Sequence, residues 1–164
     1  MTTVKYPYLF DTETIFKIFT KKNFIEEKYK AVGAKNIEFI EYGEKEGKFI
    51  IHTQRDILIE VPNFAKKFIQ PTPTIIQTEI WNITDEDVKK GTAHVKVKGL
   101  SLAEMSGEII LQPTDNGSEN VFTYGITVHI PFIGTKLSNF LDAEGKKAAQ
   151  KEYEFAVQYV SNME

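Results

Sequence analysis

Arginine occurs once in this chain. Arg55 stands alone within a Lys+Arg total of 20, on the strand phase of Phe49, Ile51, Thr53 and Ile57. Alternation places those residues on one face of a strand, and their apolarity makes it the inner face. A guanidinium there must be paired, hydrogen-bonded or wet. Glu144, inside the apolar stripe of a C-terminal helix, would neutralise it; Glu152 lies nearer the edge of that stripe. Alternatively, Arg55 would bind the carboxylate or phosphate of a ligand. A one-residue shift of phase, or a bulge, would turn it to water. Tyr124 and Thr53 also lie on inner rows, offering hydroxyls to a ligand head group. Another protein group or a buried water would satisfy Tyr124 equally well.

Other chemistry lacks its residues. His52, His94 and His129 fall on the outer phase of their strands, with no His-x-x-x-His spacing, so no metal site is expected. The chain has no cysteine, which removes disulfides, thiolate nucleophiles and cysteine-ligated zinc or iron–sulfur centres. A Rieske-type or mononuclear iron site also lacks ligands. Ser101, Ser106 and Ser138 have no glycine-x-serine-x-glycine context. Gly43 to Gly47 matches neither phosphate-binding glycine pattern, and Asp85-Glu86-Asp87 lacks the spacing of a calcium loop. No catalytic residue and no cofactor is assigned.

The elements that must position Arg55 come from hydrophobic periodicity. A length of 164 residues fits one domain, residues 1–164, and 41% hydrophobic with 26% charged residues is ordinary for a globular protein. A net charge of -3 provides no basic field for nucleic acid. The first residues lack the pattern of a secretion signal, and no apolar run approaches the ~20 residues of a membrane span. A cytoplasmic protein without an integral membrane segment is expected; any protein partner is unknown. Asn82-Ile83-Thr84 and Asn116-Gly117-Ser118 are then chance matches to a glycosylation acceptor.

Thr3 to Phe10 alternates as a strand, and Pro7 assigns it to an edge or a strand end. Asp11 or Thr12 can cap a short helix carrying Ile15, Phe16 and Phe19. Thr20 restarts the pattern for a second, with Phe24, Ile25, Tyr29 and Val32, ending at Gly33. Strands follow at Ile37–Tyr42 and Phe49–Ile57, separated by a turn across Gly43 to Gly47. Phe64, Ala65, Phe68 and Ile69, between Pro62 and Pro71, predict a short amphipathic helix. Further strands span Thr74–Ile83, Gly91–Lys98, Leu102–Gln112 and Asn120–Ile130. For Thr74–Ile83 the inner phase is open: Ile76, Thr78 and Ile80 compete with Ile75, Glu79 and Trp81.

The long helix, about Gly134 to Asn162, would reach roughly 40 Å. Stepping ~100° per residue gathers Ile133, Leu137, Leu141, Ala148, Phe155 and Tyr159 into one stripe, opposite Lys146, Lys147, Gln150 and Glu154. A seven-stranded antiparallel sheet curving around this helix leaves room between them. Small residues at Gly145, Ala148, Ala149 and Ala156 favour an open space. The alternative is that 12 Phe, 7 Tyr and one Trp fill it.

The run Val128-His129-Ile130-Pro131-Phe132-Ile133-Gly134-Thr135-Lys136-Leu137 resembles the strand–proline–glycine–helix junction of a bacterial branch called domain of unknown function 2505. Phe10-Asp11-Thr12 leading into Ile15-Phe16, and Thr78-Glu79-Ile80-Trp81, resemble it too. The whole order of elements is similar to the α+β helix-grip fold of the START-like superfamily (SRPBCC), which includes polyketide cyclases and lipid-transfer domains. The resemblance implies a hydrophobic pocket under the last helix and no fixed catalytic set. Residues 58–70 would then gate the pocket mouth or merely cover it.

The expected function is binding of a small hydrophobic or amphipathic ligand, lipid-like or polyketide-like. The expected walls are Ile51, Thr53, Val95, Met105, Ile109, Phe122, Tyr124, Leu137, Leu141 and Ala148, with Arg55 and Glu144 supplying polarity. Two alternatives remain. One is a cyclase or hydrolase using Arg55, Glu144 and Tyr124 as acid–base groups. The other is an interaction module with a filled core, docking through a sheet edge or Phe64 and Phe68.

Overall fold

Seven alternating segments pair into one antiparallel sheet that three helices cover. The structure is a computed structural model and describes residues 1–163. In chain order the elements are β1 (Thr2–Tyr8), α1 (Thr12–Phe19), α2 (Lys22–Ala31), β2 (Lys35–Lys45) and β3 (Lys48–Asp56). Then come β4 (Thr74–Asn82), β5 (Lys89–Val97), β6 (Ala103–Thr114), β7 (Gly117–Val128) and α3 (Gly134–Ser161). The sheet order is β1-β7-β6-β5-β4-β3-β2, a meander closed by pairing of the first strand with the last. Pro7 sits on the edge strand β1, where its missing N–H costs no ladder bond.

Local chemistry sets the element ends. Asp11 caps α1, its carboxylate accepting from the Thr14 N–H at 2.8 Å. The Thr20 hydroxyl donates back to the Phe16 carbonyl at 2.9 Å, so it closes α1 and does not cap α2. The β2–β3 turn is tighter than the glycine bracket suggested. Lys45 pairs with Lys48, leaving Glu46 at φ 51° and Gly47 at φ 78° as a two-residue hairpin loop. Both central residues in the left-handed region give the turn whose twist matches the strands. Gly43 belongs to β2 itself.

The helix expected between Pro62 and Pro71 is a single 3-10 turn, Asn63–Ala65. So few residues between two prolines form too few bonds to offset helix nucleation. The segment is nevertheless anchored: Ile57 and Ile59 donate to the carbonyls of Pro73 and Pro71 at 3.0 Å each. Ala65 and Ile69 are buried with Leu100, Ala103 and Leu137 in a core of their own. The larger core joins α1, α2 and the end of α3 through Ile15, Phe24, Ile25, Tyr29, Trp81, Ala156 and Val160.

Two glycines of the central strands lie hard against neighbouring backbone. A Cβ on Gly107 would lie 2.3 Å from the Thr123 carbonyl oxygen, and one on Gly91 would lie 2.8 Å from that of Ile80. Only residues without a Cβ let neighbouring backbones approach so closely, and such kinks bend a sheet around its partner helix.

Candidate functional site

The bent sheet and α3 enclose a cavity of about 620 Å³. One cross-strand row shows its origin. Glu79, Ala93, Gly107 and Tyr124 are successive partners across β4 to β7. Two small residues between two large ones leave a trough, and Gly145, Ala148, Ala149 and Ala156 leave room on the helix above it. Val95, Met105, Ile109, Phe122, Tyr124 and Leu141 line the space, as do Arg55, Glu144 and Ala148.

Three expected wall residues lie elsewhere. Ile51 and Thr53 are fully buried beside the cavity without lining it, and Leu137 packs into the separate core under residues 58–70. Leu58, Ile59, Glu60 and Ile69 of the 58–70 segment also line the cavity.

A polar cluster occupies the side nearest α2. The Arg55 side chain is directed inward with the residue only 8% exposed, its guanidinium carbon 3.9 Å from the centre of the Tyr29 ring. Arg55 Nη2 donates to Gln77 Oε1 at 3.1 Å. Its Nη1 has no protein partner among the described residues, nor has the Tyr29 hydroxyl. The Lys28 ammonium stands 3.6 Å from the Glu152 carboxylate, tying α2 to α3. Glu79 lies within the field of both cations. Burial, only partly offset by Lys28, holds the Glu79 carboxyl above the usual carboxylate range. For Lys28, burial acts downward, yet the surrounding acids Tyr29, Glu152 and Glu79 outweigh it and the net direction is upward.

The predicted Arg55–Glu144 pair is not formed. Glu144 pairs instead with Lys147, one turn along α3, at 3.2 Å. A single stripe on α3 misplaces the two acids because the buried face rotates along the helix. Leu137 faces the loop core, whereas Ala156 and Val160 face the core shared with α2. On a ~100° wheel those directions differ by roughly 100–140°, and Glu152 falls between them.

Lys28, Gln77 and Glu79 were missed, although signals existed. Lys28 is one turn from Phe24 on the apolar side of α2, beside Tyr29. Trp81 is 1% exposed, and its bulk settles the open phase of β4: Ile75, Gln77 and Glu79 share its inner row. His94 Nε2 lies 2.8 Å from Glu104, and no group of three or more His, Cys, Asp or Glu side chains placed to hold a metal ion occurs among the described residues.

The family described as protein of unknown function (DUF2505) matches residues 2–160. The chain belongs to that family. No curated protein matches this DUF2505 member in sequence. Among solved structures, TTHA0849 from Thermus thermophilus is similar at TM-score 0.65 and 9% identity, covering 99% of this chain and 97% of that one. The Zhui aromatase/cyclase from Streptomyces sp. R1128 is similar at TM-score 0.60 and 12% identity, with 98% and 91% covered. Ara h 8.0201 is similar at TM-score 0.60 and 15% identity, with 98% and 97% covered. At such identities these likenesses establish the fold alone, the helix-grip fold. No helix among the described residues is long and apolar enough to cross a membrane.

A second polar group sits across the cavity in this DUF2505 protein. The Tyr124 hydroxyl donates to Asp142 at 2.5 Å, and Lys146 lies 3.0 Å from the same carboxylate. Burial and then the bond to Asp142 push the phenol upward. The Tyr124 bond, ahead of Lys146, holds the Asp142 carboxyl below its usual range. A lowered folded value means that the contribution to stability is complete above the unfolded carboxylate value. It is lost as pH falls through the folded one. Tyr124→Phe should therefore cost about 1–2 kcal/mol at pH 7, with the gap from the parent narrowing as pH falls below the usual carboxylate range. Urea midpoints across that range measure it, and a gap independent of pH would disprove the assignment.

Proposed function

We propose that this protein is a carrier or sensor that binds a small hydrophobic or amphipathic molecule, lipid-like or polyketide-like, between the curved sheet and α3. The observation carrying this reading is the cavity of about 620 Å³, inside the range of roughly 300–1,000 Å³ typical of small-molecule sites. Its walls support the same chemistry: most lining side chains are aliphatic or aromatic, with polar groups that include the Arg55 cluster and Tyr124–Asp142. An interaction module with a filled core is disfavoured by that space. It is further disfavoured by Phe64, which packs against Phe140 with ring centres 6.4 Å apart. An enzyme built on Arg55, Glu144 and Tyr124 is disfavoured because these side chains bond to separate partners.

Native mass spectrometry of protein purified without detergent, then analysis of whatever denaturation releases, tests the proposal. A stoichiometric apolar adduct is the expected result. Fluorescent fatty-acid and naphthalene-sulfonate titrations cover the case where the expression host makes no ligand. Ala148→Trp, which would project an indole into the cavity, should reduce probe affinity by at least ~10-fold with the circular dichroism spectrum unchanged. Unaltered affinity in that variant would place the probe elsewhere and remove the support.

A further inference from the structure

Resting on that reading, we propose that the ligand is an amphipathic monocarboxylic acid, its carboxylate held by the free edge of Arg55 and its tail lying along Val95, Met105, Phe122 and Leu141. The first support is an unfinished hydrogen-bond set. Arg55 is 8% exposed, one guanidinium nitrogen is used by Gln77, and Nη1 points at no protein acceptor among the described residues. Leaving a charged donor buried and unpaired is costly, so the position favours a ligand that brings an acceptor. Rigidity is the second support. The Tyr29 ring beneath the guanidinium at 3.9 Å and the Gln77 bond beside it fix the plane before any ligand arrives. Little side-chain entropy is then lost on binding.

The charges nearby select the head group. Lys28 is engaged by Glu152 at 3.6 Å, which leaves Arg55 as the cation of this cluster without an acidic partner among the described residues. Glu79 borders the same space. A phosphate dianion would meet two carboxylates, Glu79 and Glu152, and a cationic head would meet Arg55 and Lys28. A planar monoanion fits the fork of Arg55 and brings least repulsion. Distance along the sheet separates head from tail. Arg55 and Gln77 lie on β3 and β4, whereas Val95, Met105 and Phe122 lie on β5, β6 and β7. A tail running from Gln77 across its strand partner Val95 to Met105 follows one continuous row of the sheet.

The experiment titrates the 164-residue chain with a fluorescent long-chain fatty acid, its methyl ester and the corresponding primary amine. The acid should bind at least ~10-fold tighter than the ester. Arg55→Gln should weaken the acid by about 10- to 100-fold and leave the ester within a few-fold. Because Arg55 also stacks on Tyr29, its replacement is paired with Glu79→Gln, which keeps the guanidinium; that variant should retain or strengthen the preference for acid. Equal binding of acid and ester by the parent would overturn the head-group assignment while leaving the carrier reading intact. Preference for the amine would make Glu79 the anchor and do the same. Failure of all three probes to bind would overturn both.

Discussion

Phe24→Ala is expected to destabilise the protein by about 3–5 kcal/mol, a fall in Tm of roughly 6–20 °C at this chain length. Phe24 is fully buried and joins three helices. Its ring lies 6.2 Å from Phe19 of α1, 5.8 Å from Phe155 and 5.0 Å from Tyr159, both of α3. Truncation removes the transfer energy of the ring and its aromatic contacts, and it leaves a void that fixed neighbours cannot close. It also borders the cavity, so the loss would loosen α2 where Lys28 and Tyr29 depend on it. Phe132→Ala is the control. That side chain is fully exposed, and its loss should change stability by no more than about 0.5 kcal/mol. Chemical denaturation of both variants decides the matter; a cost below about 1 kcal/mol for Phe24→Ala would mean the helices do not pack through it.

Two glycine-to-alanine changes should act in opposite directions. In Gly107→Ala the new methyl would stand 2.3 Å from the Thr123 carbonyl oxygen and 2.8 Å from the Tyr124 Cα. Those are backbone atoms of the paired strand β7 and cannot rotate away. A cost of about 3 kcal/mol or more follows, along with a flatter sheet and weaker probe binding. Gly145→Ala, within α3, meets nothing within 4 Å. Removing the backbone entropy of a mid-helix glycine should stabilise the protein by about 0.8–1 kcal/mol. Measured together by urea unfolding and probe titration, the pair separates the two roles of small residues here. A mild effect at Gly107 would show that the cavity does not depend on that kink.

Several features were legible in the chain because they depend on near neighbours. Alternation located all seven strands and the wheel located α3, since burial of one face imposes those periods. Pro7, through its missing donor, pointed to an edge or a strand end, and β1 is an edge strand. Where one chain signal offered two readings, partners decided. Thr20 bonds backward because the Phe16 carbonyl lies within reach. The two-residue loop at Glu46–Gly47 was chosen by the strand register, which Gly43 alone does not report.

The candidate site divides along the same line. That Arg55 faces inward follows from strand alternation and a single odd residue on an apolar row. Which group answers it does not follow from the chain, because charge pairing depends on how two helices and a strand meet in space. Glu144 and Glu152 are two turns apart on one helix, and the turn of its buried face from the loop core towards α2 leaves one paired with Lys147 of its own helix and the other with Lys28. Glu79 became an interior group only when Trp81 was buried and carried its whole row inward. The sequence by itself determined the order of strands and helices and narrowed Pro7 and Arg55 to two placements each, because each rests on spacing along the backbone. Tertiary structure alone decided the volume left open and the partners of the charges within it, because both are set by distances between segments that lie far apart in the chain.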